Sequence, residues 1–216
     1  MLLAFYDKPK LKEKYLKRVQ KHYDLDEIIH GVYWDNGKGC AVGCTMEQGG
    51  EVHKAMEKTL GIPESLCLLE DKLFEGMKNG DAKEFPLRFL KAIKPGADLT
   101  RVEYKFKHWL LVDKHNGVIQ WAETESKKII RHIAKLQKQA SEGSMPSDEK
   151  WSAAWSAAES AAESAAWSAA ESAWSAAESA RSAAESAAWS EAWSVARSAH
   201  YKKMADKLIQ LLEEAE

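Results

Sequence analysis

Several features are scarce in this chain of 216 residues, and each scarcity excludes a class of protein. Only three cysteines occur, Cys40, Cys44 and Cys67. An odd count without a signal peptide argues against a disulfide scaffold, and we expect a reducing, cytoplasmic location. No run of about 20 apolar residues occurs, so we expect no transmembrane helix. Neither half of the chain has the strong basic excess of a nucleic-acid binder, so we do not expect that activity.

Alternating runs of β-branched residues, which are typical of half-buried strands, are also scarce. Apolar residues instead recur at helical spacing between Gly and Pro signals, so we predict an all-α fold. In the first 143 residues the predicted helices cover 8–23, 26–31, 51–60, 63–77, 81–93, 99–112 and 124–140.

Neither Gly nor Pro occurs from Ser147 to Glu216, and most of this stretch repeats the unit x-Ser-Ala-Ala, where x is Trp, Glu or Arg. Ala is the best helix former, so we predict one helix over about 147–214, roughly 100 Å long. Most of the x positions from Glu159 to Trp193 share one broad face, and the opposite face carries only Ala and Ser. Six of all the x positions are tryptophans, which are unfavourable to expose as a row: Trp151, Trp155, Trp167, Trp174, Trp189 and Trp193. A solvated helix of low complexity is the alternative.

These patterns predict a helical globular domain over residues 1–143, with a Gly/Cys-rich loop at 31–50, and a long repeat helix over residues 144–216. The smooth Ala/Ser face permits close helix–helix approach, and a second chain can cover the tryptophans. We therefore expect a homo-oligomer, most simply a dimer, held by the repeat helix. No cofactor is expected, and the sequence indicates no particular small-molecule ligand.

The loop sequence GKGCAVGC is the one motif that suggests chemistry. A thiol that follows a Gly-rich turn at a helix start is expected to have a lowered pKa, which makes Cys40 a candidate nucleophile. His53 or His30 is the candidate general base, with Asp35 orienting it. The predicted binding residues around the thiol are Trp34, Asp35, Gly37, Lys38, Gly39 and Cys44.

Two other interpretations of this loop stay open. Cys40, Cys44, His30 and His53 are a weak candidate set of zinc ligands, because their spacings are not those of a standard zinc finger. The structural alternative is that both cysteines are small buried apolar residues where a helix crosses a loop tightly.

The stretch GKGCAVGCT and the later stretches HKAMEKTLGIPESLCLLEDKLFEG and WLLVDKHNGVI resemble a family of uncharacterised proteins from bacteria and their phages. Members of that family also carry an Ala/Ser/Trp/Arg repeat after the globular part. The resemblance covers most of the chain and is most specific at GKGCAVGCT. It implies no activity and no catalytic residue.

Three hypotheses for the function follow. The first is an interaction or scaffold protein that binds itself or a partner through the repeat helix. The second is a cysteine-dependent hydrolase or transferase that uses Cys40. The third is a zinc-binding helical domain. The first is preferred, because no clear base–nucleophile spacing supports catalysis.

Overall fold

The computed structural model describes residues 2–158 and 186–216, and for residue 79 and residues 186–196 it describes the backbone only. The chain forms two compact units, Met1–Glu103 with Val195–Glu216 (unit 1) and Tyr104–Ser194 (unit 2). The described part is mostly helical, which confirms the predicted class. Its elements are α1 (Pro9–Asp24), β1 (Trp34–Asp35), β2 (Lys38–Gly39), α2 (Ala41–Met46), α3 (Val52–Leu60), α4 (Glu64–Gly76), α5 (Asn79–Ala92), α6 (Val102–Val112), α7 (Thr124–Ser141), α8 (148–158) and α9 (Ser186–Glu213).

The segment 26–31 is not the short helix that the sequence predicted. Asp26 has a positive φ of 58°, which interrupts a right-handed helix at once. Ile28 forms a parallel bridge with Gly39, and the Ile29 N–H donates to the Gly39 carbonyl at 2.8 Å. The backbone of this segment therefore forms its hydrogen bonds with β2 instead of forming them within a helix.

Unit 1 is built on aromatic residues that have no exposure to solvent. Phe5, Phe74, Phe85 and Phe89 are fully buried, and the last two meet edge to face with ring centroids 6.3 Å apart. Burying one such side chain contributes roughly 1.5–3 kcal/mol. Helices α1 and α5 pack together, and α2 lies among α1, α3, α4 and α5. This packing makes α2 an internal element of unit 1.

The end of α9 is part of the core of unit 1. Leu208 and Leu212 are fully buried, and Arg88 donates to Asp206 at 2.6 Å. The Ser198 hydroxyl accepts a hydrogen bond of 2.8 Å from the backbone N–H of Lys78. After the repeat ends, apolar residues such as Leu208 and Leu212 recur at the spacing of an amphipathic helix. This apolar face of α9 is the side that packs into the core of unit 1.

Unit 2 contains α7, α8, nearly all of α6 and the first part of α9, with a 3-10 turn at Val118–Gln120 between α6 and α7. It extends across the predicted boundary between residues 143 and 144, and the predicted division of the chain stays a prediction.

The single repeat helix predicted for about 147–214 falls partly on residues 159–185, outside the described residues. Of the helices that are described, none is both long and apolar enough to cross a membrane.

Candidate functional site

A tight hairpin positions the predicted thiol site. β1 and β2 pair antiparallel, with Trp34 opposite Gly39, and the turn between them is Asn36-Gly37. Both turn residues have positive φ, 48° and 86°, as a two-residue type I′ hairpin requires. β2 leads directly into Cys40, the residue before α2. The backbone N–H of Cys40 donates a hydrogen bond of 2.7 Å to the Val32 carbonyl.

Two glycines of the motif allow a close crossing of the backbone. A Cβ placed on Gly39 would lie 2.1 Å from the Tyr33 carbonyl oxygen, and a Cβ on Gly43 would lie only 1.5 Å from the same atom. The space beside both glycines is therefore filled by the chain itself. This is the tight helix–loop crossing of the structural alternative, with every residue of α2 buried.

Cys44 points into this crossing. It is fully buried, and its Sγ donates to the Gly39 carbonyl at 3.2 Å. Burial raises the pKa of Cys44 to about 12, so the thiol is protonated at neutral pH. Cys44 is thus a small buried residue that helps to hold β2 on α2.

Cys40 lines a cavity of about 230 Å³ together with Tyr33, Asp71 and Glu75. Only 1% of its surface is exposed. Burial and then the negative charge of Asp71 raise the pKa of Cys40, although we expected the helix start to lower it. The thiolate is disfavoured because it would be buried next to a carboxylate.

The structure brings one of the two predicted bases close to this cluster. His53 lies with its Nε2 3.3 Å from Asp71 Oδ2 and its ring edge-on to Tyr33. His30 turns to α4, where its Nε2 lies 3.2 Å from the Phe74 carbonyl and its ring lies against the Phe74 ring. Asp71 contacts His53 on one side and faces Cys40 on the other, so the carboxylate, and not the imidazole, is the group next to the thiol.

The other predicted binding residues lie on the hairpin. Trp34 packs edge-on against His22, with ring centroids 5.3 Å apart, while Asp35 and Lys38 are exposed. The role assigned to these residues stays a prediction.

Asp71 and Glu75 were missed at the sequence level. They are four residues apart on α4, which places both carboxylates on one helical face. That spacing identifies them as a pair, but it does not show which residues they meet. The Glu75 carboxylate accepts hydrogen bonds of 3.0 and 3.1 Å from the Gly31 N–H. Asp71 Oδ1 and His53 Nε2 are buried without a hydrogen-bond partner.

The predicted zinc ligands Cys40, Cys44, His30 and His53 are not brought together as a set. In the described part of the chain, the group of metal-ligating side chains whose donor atoms all lie within 4.8 Å of one another is Cys40, Asp71 and Glu75. Sequence spacing could not reveal it, because Cys40 and the carboxylates meet only through the packing of α2 against α4.

A second feature lies within unit 2, where an apolar groove of about 460 Å³ runs between helices. Trp155 lines it and is nevertheless 73% exposed. Gln137 is largely buried in the groove wall, and its Oε1 has no hydrogen-bond partner. The lining residues are Tyr104, Lys107, Leu110 and Leu111 of α6, Ile133 and Gln137 of α7, and Trp151, Ala154, Trp155 and Ala158 of α8.

No family model, curated protein or solved structure matches this chain. The resemblance of the GKGCAVGCT motif to bacterial and phage proteins stays a prediction.

Proposed function

We propose that the protein acts by binding, as an interaction protein that associates with a second copy of itself through the groove of unit 2 at the start of the Ala/Ser/Trp repeat. The observation that carries this proposal is Trp155, a large apolar side chain that is 73% exposed on the wall of an apolar groove.

Leaving this side chain in water is unfavourable. A tryptophan buries about 150–250 Å² when it is covered, and apolar burial contributes about 25 cal/mol per Å². Covering the 73% of Trp155 that is exposed therefore stabilises a complex by roughly 3–5 kcal/mol before the cost of association is subtracted.

A second copy suits this surface because the surface is self-complementary. In a twofold interface the same patch contacts itself, so a protruding group and the recess that receives it must lie side by side on one chain. Trp155 and the groove beside Leu110 and Ile133 meet that requirement. Ala158 on the same helix is partly exposed and is small enough to let a partner helix approach closely.

The test compares two matched tryptophans of unit 2 in the full-length protein. Trp155 is 73% exposed in the groove, and Trp121 is 72% exposed and is not among the groove residues. A tryptophan at the centre of an interface costs at least about 2 kcal/mol when truncated, so Trp155→Ala should raise the dimer dissociation constant about 25-fold or more. Trp121→Ala should change it less than about threefold.

Sedimentation velocity over a range of concentrations measures both constants. Equal effects of the two substitutions would contradict a role for the groove, since both remove the same exposed apolar area.

The observations on Cys40 do not favour the hydrolase or transferase hypothesis. Its thiol is buried, and its pKa is raised first by that burial and then by the negative charge of Asp71 beside it, so the nucleophilic thiolate is disfavoured.

A further inference from the structure

We propose that Cys40, Asp71 and Glu75 bind one divalent transition-metal ion of the zinc class, with His53 as the residue that positions Asp71. The site lies within unit 1 and does not depend on the groove of unit 2. Thiolate and carboxylate donors in one small cavity suit Zn²⁺ or Co²⁺ better than Mg²⁺ or Ca²⁺, which prefer oxygen ligands alone.

The geometry is close to that of a bound site. The three donor atoms lie within 4.8 Å of one another. Ligands at about 2.0–2.3 Å from a tetrahedral zinc ion are roughly 3.3–3.8 Å apart, so each donor has to move by about 1 Å or less. The cavity of about 230 Å³ that the three residues line has room for the ion and for a water molecule in the fourth position.

Buried polar atoms without partners are a second observation that points to a ligand. His53 is only 8% exposed, and its Nε2 lies 3.3 Å from Asp71 Oδ2 without the geometry of a hydrogen bond. Asp71 Oδ1 is also buried and unpaired. Native proteins satisfy nearly all buried polar groups, so these two atoms need an explanation. A cation on Asp71 provides one, because a ligating carboxylate is typically held by a further hydrogen bond such as one from His53 Nε2.

Each proposed ligand is held in place by a contact outside the site. The Cys40 N–H donates to the Val32 carbonyl, the Glu75 carboxylate accepts from the Gly31 N–H, and Asp71 lies against His53. Such supporting contacts fix the orientation of metal ligands. On binding, the metal–sulfur bond replaces the S–H bond of Cys40, and the thiol proton passes to solvent. The ion then supplies a positive charge beside the buried thiolate and the two carboxylates.

The test uses the full-length protein without a polyhistidine tag and titrates it with Co²⁺, then with Zn²⁺ in competition. We expect one ion per chain and a thiolate-to-cobalt charge-transfer band, which Zn²⁺ removes. Cys40→Ser should abolish the band. Asp71→Asn and Glu75→Gln should each weaken binding at least about tenfold, and His53→Gln should weaken it by about 10- to 100-fold while keeping the band.

The matched controls are Cys67→Ala, a buried thiol outside the cluster, and Glu64→Gln on the same helix α4. Both should bind Co²⁺ as the unmodified protein does. Glu75 is exposed enough for Glu75→Gln to keep the fold, which circular dichroism verifies, so loss of binding in that variant reports the site. Absence of stoichiometric Co²⁺ binding, or binding that survives both carboxylate substitutions, would overturn the proposal.

Discussion

Replacing Gly43 by alanine tests the close crossing that organises the Gly/Cys loop. The new Cβ would lie 1.5 Å from the Tyr33 carbonyl oxygen, whereas an ordinary contact needs about 3.4 Å or more. The atom it meets belongs to the backbone, so relief requires the 32–33 segment to move, which strains the 2.7 Å hydrogen bond from Cys40 N–H to the Val32 carbonyl. Overpacking contributes about 1–3 kcal/mol and the hydrogen bond about 1 kcal/mol, against about 1 kcal/mol gained in helix propensity. We expect a net loss of about 1–3 kcal/mol of unfolding free energy.

Urea unfolding followed by circular dichroism measures this loss, and hydrogen exchange at the α2 amides reports it locally. Gly49→Ala is the matched control, because nothing lies within 4 Å of a Cβ at Gly49 and its φ is not in the left-handed region. It should change the free energy of unfolding by less than about 0.5 kcal/mol. A Gly43→Ala variant as stable as Gly49→Ala would refute the crossing.

Three further predictions concern unit 1. Leu208→Ala should lower the free energy of unfolding by about 2–5 kcal/mol, because this residue of α9 is fully buried. The control Leu25→Ala, at a position that is 54% exposed, should lower it far less. Equal losses would place the end of α9 outside the core. Hydrogen bonds from Thr100 lower the pKa of Asp98, so its stabilisation is present near neutral pH and is lost as the pH falls through that lowered pKa. Asp98→Ala should therefore lower Tm more at about pH 7 than at about pH 2, and a constant difference would contradict the assignment. All three buried thiols should react slowly with iodoacetamide in the native protein and quickly after unfolding, and rapid native labelling of Cys40 would restore the nucleophile hypothesis.

Helices with a strong local pattern could be predicted from the sequence. Pro9 and the apolar stripe of α1 gave a predicted range of 8–23 against the observed Pro9–Asp24. Gly61 ends α3 with a positive φ of 66°, as expected of a glycine just past a helix. The range 124–140 likewise lies within one residue of α7. In each case the signal is local, so no knowledge of tertiary contacts was needed.

The candidate site was predictable only in part, because it depends on contacts between distant segments. The Asn36-Gly37 turn is a strong local hairpin signal, and the β1–β2 pair could have been predicted from it. Cys40 was identified from its motif, but its partners on α4 follow from helix packing that no spacing reveals. The sequence predicted a lowered pKa for Cys40, and this direction was wrong for the same reason. Burial and the negative charge of Asp71 raise the pKa by more than the start of the short helix α2 lowers it.

The packing of the end of α9 in unit 1 was also beyond local reasoning. The absence of Gly and Pro after Ser147 favoured one continuous helix, and the return of α9 to unit 1 depends on Leu208 and Leu212 finding space in a core formed by the first hundred residues. Helix propensity describes the backbone of such a segment and contains no information on its partner.

The mass of the full-length protein in solution tests the central claim most directly. Sedimentation equilibrium at micromolar concentration should give about twice the chain mass of 24.2 kDa and should return toward one chain mass on dilution or in the Trp155→Ala variant. A mass of 24.2 kDa across the whole concentration range would contradict self-association through the groove.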